Sequence, residues 1–411
     1  VAGLHVTLVA ALLLAGACGD ATAAPVPERD APGRQGPDWT GYAATWRTLA
    51  AAGESSPADP FAAQLHGQLA ALLGDYDYAH AHYFGGVRRA EPAALGLRDP
   101  EPALPALAAL VEGRRVVMLN ESHGHSAQRA ANFLFVRELR RLGFTHLALE
   151  ALAYEPAQAG ACASVVASDD GLASRGHAIA ASGHYLNDPI FAELVRMALA
   201  EGFSLVAYDD SNADAPGREW REQAQARNLA CVLEADPGAR MVVVGGGSHT
   251  SKQPDHPFPG GMMAARLQAM TGIEPYSISV RVLDLPGLPG YADGQPFFAG
   301  TDEGPFTSAG YDRVALVPAP LARGEAAHWL RLGGWRLPAP PVPLACATPP
   351  CLLEARRDGE SDASVPGDRC LVAAEGPACP LFLAPGQYRL RLLGPGGDIV
   401  GAGSLRVPAG G

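Results

Sequence analysis

Apolar and polar positions along this chain change rhythm twice. From Arg114 to Val317, short unbroken apolar runs recur, each followed by a stretch with helical spacing. Val116–Leu119, Thr145–Leu149, Ser204–Tyr208, Met241–Val244 and Tyr276–Val282 do not alternate polar with apolar, so they read as strands buried on both faces. Arg313–Val317 reads as a last strand of the same kind. Between them, Ser126–Leu142, Ile190–Ala200, Trp220–Glu234 and Gly260–Met270 read as helices; in the first, Ala130, Phe133, Leu134, Val136 and Leu139 form the apolar stripe. Strand–helix alternation of this kind predicts an α/β fold, a mostly parallel sheet with helices on both faces.

Upstream, residues 38–110 read as mostly helical, with helices at Phe61–Leu73 behind Pro60 and at Ala106–Val111 behind Pro105. Asp75–Gly86 reads as a helical segment packing its aromatic residues on the domain. Downstream, residues 284–310 are rich in Pro and Gly and read as a long surface loop, and Pro338–Pro343 as a rigid linker. The period then becomes two: Gly386–Leu393 alternates toward a Gly-Pro-Gly-Gly-Asp turn and Ile399–Val407 follows, the pattern of a hairpin. The expected organisation is an α/β core domain over residues 38–330 and a small β-rich module over residues 345–411.

The first 37 residues fit neither rhythm. Residues 1–18 hold a short apolar core, Val6–Leu14, and end in Ala15-Gly16-Ala17-Cys18. The run is too short to span a membrane and reads as an export signal with a lipoprotein processing box, Cys18 being the lipidated residue. Residues 19–37, rich in Pro, Ala, Gly and charge, read as a flexible tether. The expected location is the bacterial cell envelope, on the periplasmic side, with the lipid bilayer as partner through Cys18. Cysteine usage fits an oxidising compartment. Cys346, Cys351, Cys370 and Cys379 crowd near the C-terminus and predict disulfides stapling the small module, with connectivity open; Cys162 and Cys231 form a third bridge or stay buried and free. A net charge of −12 with no basic cluster argues against nucleic acid as a partner.

Chemistry concentrates after the predicted strands. Asn120-Glu121-Ser122-His123-Gly124-His125 follows the first, Glu150 the second, Asp209-Asp210 the third, and Ser248-His249-Thr250, behind three glycines, the fourth. The carboxyl ends of parallel strands lie side by side, so these four clusters converge on one ligand-binding edge. A histidine beside a carboxylate activates water, which fits His123 or His249 with Glu121 or Glu150. The same set, Glu121, His123 and His249, suits a divalent metal such as Mn, Co or Zn. His125, Asp209, Arg221 and Arg227 are candidates for contacting a small-molecule or peptide substrate, and the loop carrying His177 and His184 reads as an active-site flap. No Gly-x-Gly-x-x-Gly follows the first strand and no Gly-x-Ser-x-Gly elbow occurs, which argues against dinucleotide binding and against a serine hydrolase.

Glu121-Ser122-His123-Gly124, the helix segment Arg221–Asn228 and the glycine-rich strand end with His249 together resemble the superfamily that includes erythromycin esterases, haem-binding iron-regulated lipoproteins and Tiki/TraB proteases. The resemblance covers roughly residues 105–320; Asn120 stands where the family usually has Gly, and a single residue separates Glu121 from His123. From the esterases, it implies His123 as the water-activating base, supported by Glu121, Glu150 and His249, in a hydrolase of ester, amide or peptide bonds. From the proteases, it implies a divalent metal on the strand-end groups. From the haem-binding lipoproteins, it implies haem or an iron compound instead, with Tyr185, His184 or the segment around His80 as axial ligands.

Overall fold

The computed structural model describes residues 36–83, 90, 92–154, 171–210, 217–285, 295–318, 328–377 and 379–409. The signal and its Cys18, most of the tether, Glu155 and Cys162 lie outside the described residues. Three helices open the structure, α1 (Trp39–Ala52), α2 (Pro60–Leu72) and α3 (Tyr76–His82), followed by β1 (Arg98–Pro102) and α4 (Ala103–Leu110). Then come β2 (Val116–Glu121), α5 (Ser126–Arg141), β3 (His146–Leu149), the single turn α6 (Leu172–Arg175), α7 (Pro189–Ala200), β4 (Ser204–Ala207), α8 (Arg218–Ala235), β5 (Met241–Gly246), α9 (Met263–Thr271) and β6 (Tyr276–Leu283). Strands β7 (Phe297–Thr301), β8 (Gly304–Pro305) and β9 (Arg313–Pro318) complete the large sheet.

Its order is β1-β7-β9-β6-β2-β5-β3-β4, with β8 paired to β7. The run from β9 to β4 is parallel throughout, and β1, β7 and β8 add an antiparallel margin. Helices cover both faces. Val117 and Leu119 of β2 pack with Ala130, Phe133 and Val136 of α5 and with α7, whereas Val116 and Met118 pack with Leu229 and Leu233 of α8 and Leu267 of α9. The α/β fold is therefore as the sequence predicts, and its parallel strands begin within a residue or two of the expected positions. The margin departs from expectation. Residues 297–301 and 304–305 are strands within the stretch that read as loop, and β1 carries two prolines and is exposed along its whole length. Proline cannot donate to a ladder, so only an edge position accommodates such a strand.

The C-terminal region has β10 (Leu337–Pro338), β11 (Ala345–Cys346), β12 (Cys351–Arg357), β13 (Asp368–Val372), β14 (Gly376–Pro377), β15 (Phe382–Leu383), β16 (Gly386–Leu393) and β17 (Ile399–Val407). Its main sheet, in the order β13-β12-β16-β17, is antiparallel. Two disulfides staple it, Cys346–Cys351 and Cys370–Cys379, with Cα atoms 5.9 and 6.3 Å apart. Cys231 on α8 is also disulfide-bonded. The segment read as a linker is sewn to this region through β10–β15 pairing and through Ala339 N–H, which donates to Leu381 O at 2.9 Å. The module is in turn packed on the rest of the chain. Leu352 joins Trp39, Tyr42 and Leu73 in one apolar cluster, Trp39 Nε1 donates to Gly394 O at 2.7 Å, and Arg196 on α7 grips Glu360 at 2.7 Å. Short helices such as α1–α3 have too little apolar surface to close a core alone, and this sheet supplies the missing partner. Among the described residues no helix is long and apolar enough to cross a membrane.

Candidate functional site

Strand register sets the site. Glu121 ends β2 level with Gly246 at the end of β5, and Leu149 of β3 is level with Val244 of β5 and Ala207 of β4. Glu121, Gly246, Glu150 and Asp209 thus stand in a row along the carboxyl edge of four neighbouring strands. All three of these acids are buried.

The first functional pair comes from the α5 side. His123 Nδ1 lies 2.6 Å from Glu121 Oε1, leaving Nε2 directed across the edge. A Cβ on Gly246 would sit 2.7 Å from His123 Cε1 and 3.0 Å from both His123 Nε2 and Glu150 Oε2. Only glycine permits this approach, so Gly246 makes room for the imidazole that follows β2. Glu121 Oε2 accepts from Arg129 Nε at 3.4 Å, and Arg129 Nη2 donates to His123 O at 2.9 Å. Arg129 Nη1 holds Asp188 Oδ2 at 2.6 Å, and Ser126 Oγ donates to the same oxygen at 2.7 Å. Asp188 also caps α7, its Oδ1 accepting from Ile190 N at 2.8 Å ahead of Pro189. Burial works to raise the Glu121 carboxyl, but Arg129 and His123 outweigh it and hold the group down at about 2. Tyr185 lies flat on the His123 ring, with centroids 3.9 Å apart and planes 11° from parallel. Burial, with Glu150 and Glu121 nearby, pushes its phenol up to about 12, so the hydroxyl stays protonated.

The second pair comes from the α8/α9 side. His249 Nδ1 lies 2.6 Å from Glu222 Oε1, and Glu222 Oε2 accepts from Met263 N, at the start of α9, at 2.8 Å. His249 Nε2 faces Glu150 Oε1 at 3.7 Å. Burial alone would lower the imidazole, but Glu150 and Glu222 overcome it and raise its pKa. Glu150 is the hub between the pairs: Oε1 accepts from Arg221 Nη2 at 2.7 Å, and Oε2 accepts from Gly246 N–H. Asp209 fixes Arg221 through two bonds of 2.8 and 2.7 Å and takes a third, from Gln225 Nε2, at 2.8 Å.

Glu121, His123, Glu150, Asp209, Arg221 and His249 therefore come together. Asp209 differs from its expected role in that its oxygens are occupied by Arg221 and Gln225. His125 does not join them: it precedes α5, and its buried ring packs on His80 and Tyr83. Arg227 is exposed on α8, toward Tyr154 and Asp210. In the expected flap, Tyr185 reaches His123, whereas His177 turns away toward Glu360, 3.9 Å distant. Of the haem-ligand candidates, His80 is fully buried with Nε2 accepting from Ala127 N at 3.4 Å. The metal expectation for Glu121, His123 and His249 does not fit at Glu121, both of whose oxygens are engaged, and Arg221 already supplies positive charge beside Glu150. Among the described residues no group of three or more His, Cys, Asp or Glu is arranged to hold a metal ion.

Four participants escaped the sequence reading: Arg129, Asp188, Glu222 and the stacking role of Tyr185. Arg129 had a signal, since a charge stands among Ala127, Ala130 and Phe133 on a helix that is apolar there. Glu222 had none, because an acid beside an arginine on a helix reads as surface pairing.

No protein-family model matches this chain, and no curated protein matches it. Solved structures with some likeness come from bacterial toxins and effectors. The RRSP effector domain of the MARTX toxin from Vibrio vulnificus is 19% identical with a TM-score of 0.30, over 51% of this chain and 39% of that one. The type III effector HopBA1 is 16% identical with a TM-score of 0.33, over 55% of this chain and 97% of that one. The C-terminal region of Pasteurella multocida toxin, described as having a thiol-protease-like catalytic triad, is 11% identical with a TM-score of 0.34, over 71% and 46%. The Vibrio and Pasteurella structures are thus matched over less than half their length.

Proposed function

We propose that this chain is an exported lipoprotein, anchored through its own Cys18 in the bacterial envelope, and a hydrolase of ester, amide or peptide bonds that uses this Glu/His site. The observation that carries the catalytic reading is that two imidazoles stand beside Glu150, His123 across Gly246 and His249 directly, each with a carboxylate oxygen 2.6 Å from its Nδ1. A carboxylate at Nδ1 fixes the tautomer and leaves Nε2 to meet the substrate. In this reading a water lies between His123 Nε2 and the substrate carbonyl carbon. His123 takes a proton from the water as its oxygen bonds to the carbon, and Glu121 stabilises the imidazolium that forms. His249, whose pKa Glu150 and Glu222 raise, donates a hydrogen bond to the developing oxyanion. Collapse of the tetrahedral intermediate breaks the bond to the leaving group, which takes the proton from His123. Glu150 favours the protonated form of His249 and aims the ring, and Arg221 and the Gly246 amide keep Glu150 in place.

The test is a screen of ester, amide and peptide substrates with the wild-type chain and His123→Ala. The half-exposed ring of His123 is not part of the core, so the variant should fold with an unchanged far-ultraviolet spectrum. Its kcat/KM should fall by about 10²–10⁴. An unchanged rate removes His123 from the mechanism and the proposal with it.

A further inference from the structure

Buried and half-buried arginines around the site come in compensated sets: Arg129 with Glu121 and Asp188, Arg221 with Glu150 and Asp209, Arg196 with Glu193 and Glu360. Arg281 does not. It lies on β6, where Ile278 is level with Leu119 of β2, so Arg281 stands one residue beyond the level of Glu121 at the same carboxyl edge. Its Nε donates to Ser279 Oγ at 3.2 Å, and its titratable neighbour is the phenol of Tyr311. Among the described residues no carboxylate pairs with it, and burial lowers the guanidinium, opposite to the raised Arg129, Arg196 and Arg221. A largely buried charge with no carboxylate partner is destabilising, and the packing around it gives no reason for it.

Its position relates it to the site. The Tyr311 hydroxyl donates to Gly247 O at 3.3 Å and accepts from Thr250 Oγ1 at 3.4 Å, so it grips the turn that presents His249 from both sides. Arg281 stands behind that phenol and is partly open to solvent. Guanidinium presents a planar fork that matches carboxylate and phosphate oxygens.

We propose that Arg281 anchors an oxyanion of the substrate, a carboxylate or a phosphate group, carried on the side of the scissile bond that lies over β6 and the His249 turn. The proposal rests on the hydrolase reading of the Glu121, His123, Glu150 and His249 site, and it makes the substrate class anionic.

Binding is measured apart from turnover. Calorimetric titration of the full chain with inorganic phosphate and, separately, with succinate should give binding of at least one. Arg281→Met should weaken it by about tenfold or more, the size expected for a charge-assisted hydrogen bond, and Arg281→Lys should retain most of it. The Tm of Arg281→Met should equal or exceed that of the wild type. If Arg281→Met does not fold, Arg281→Gln takes its place. Wild-type failure to bind either anion, or equal binding by the neutral variant, overturns the proposal. In turnover, the preference for mono-4-nitrophenyl glutarate over neutral 4-nitrophenyl butyrate should fall by about tenfold in the same variant. Arg281-dependent binding by a chain that hydrolyses neither ester would keep the anchor and sink the hydrolase reading.

Discussion

The two faces of the large sheet each send a carboxylate–imidazole pair over its carboxyl edge, and the pairs are built differently. On the α5 face Glu121 divides its charge between His123 and the buried Arg129. On the α8/α9 face Glu222 holds His249 and the Met263 amide, and Glu150 adds a second negative charge on the far side of the ring. An arginine competing for the acid pulls Glu121 down to about 2, whereas two acids around one imidazole raise His249. Environment rather than residue type thus sets the two pairs apart at one sheet edge.

Removing Arg129 should produce the largest effect. Arg129→Met strips the partner from two buried acids, Glu121 and Asp188, and unpairing buried charges costs about 3–5 kcal/mol. The side chain of Arg221 is 33% exposed, against 1% for Arg129, so water can solvate the acids that Arg221→Met would release. Urea denaturation should therefore place Arg129→Met well below Arg221→Met in stability. Equal losses would mean that the α5 pair is not the more deeply committed of the two.

The pairs should also fail at opposite ends of the pH range. Glu121 is depressed from 4.5 to about 2, so its contribution is fully present above 4.5 and is lost as pH falls through about 2. His80 and His125, pushed by burial down to about 3 and about 4, add to the acid limb, since below 6.5 the unfolded chain takes up a proton that the folded ring does not. His249 is raised, so its contribution is full below 6.5 and disappears as pH rises through its folded value. Glu222→Gln should remove much of that alkaline limb from a plot of Tm against pH and leave the acid limb in place. It should also lower the pH at which the His249 ring titrates by nuclear magnetic resonance. An unmoved His249 would show that Glu150 alone sets its charge.

How much of this was legible follows from the physics of each part. Fully buried parallel strands such as Val116–Leu119 and Met241–Val244 announce themselves by unbroken apolar runs, and acids and histidines stand directly behind them, so the edge and most of its members could be read directly. Arg98–Pro102 could not, because an exposed edge strand with two prolines carries no apolar pattern. Cys346–Cys351 and Cys370–Cys379 pair locally, and crowding in sequence was enough to find the four cysteines while leaving their connectivity to the structure. Glu222 and Asp188 were invisible because their roles depend on which helix end meets which strand end. His125 misled in the other direction: two residues after His123 it shares the polar cluster, yet the chain turns into α5 between them and buries the second ring against His80.

The smallest expected effect addresses the roof of the first pair. Tyr185 stacks on His123, whereas His249 has no such aromatic partner among the described residues. A stacked ring contributes about 0.5–1.5 kcal/mol beyond the area it buries and limits how freely the imidazole turns. Tyr185→Leu keeps an apolar cover but loses the flat contact, so hydrolysis should fall only by about three- to tenfold, in line with that energy. The sharper readout is chemical. Diethyl pyrocarbonate should acylate His123 at Nε2 faster in the variant, because Nδ1 remains tied to Glu121 while loss of the stacked ring lets the reagent and the turning imidazole reach each other, and the rate at His249 should not change. Acceleration at both histidines would mean that Tyr185 closes the whole edge instead of one side of it, and the difference between the two pairs would then lie in their acids alone.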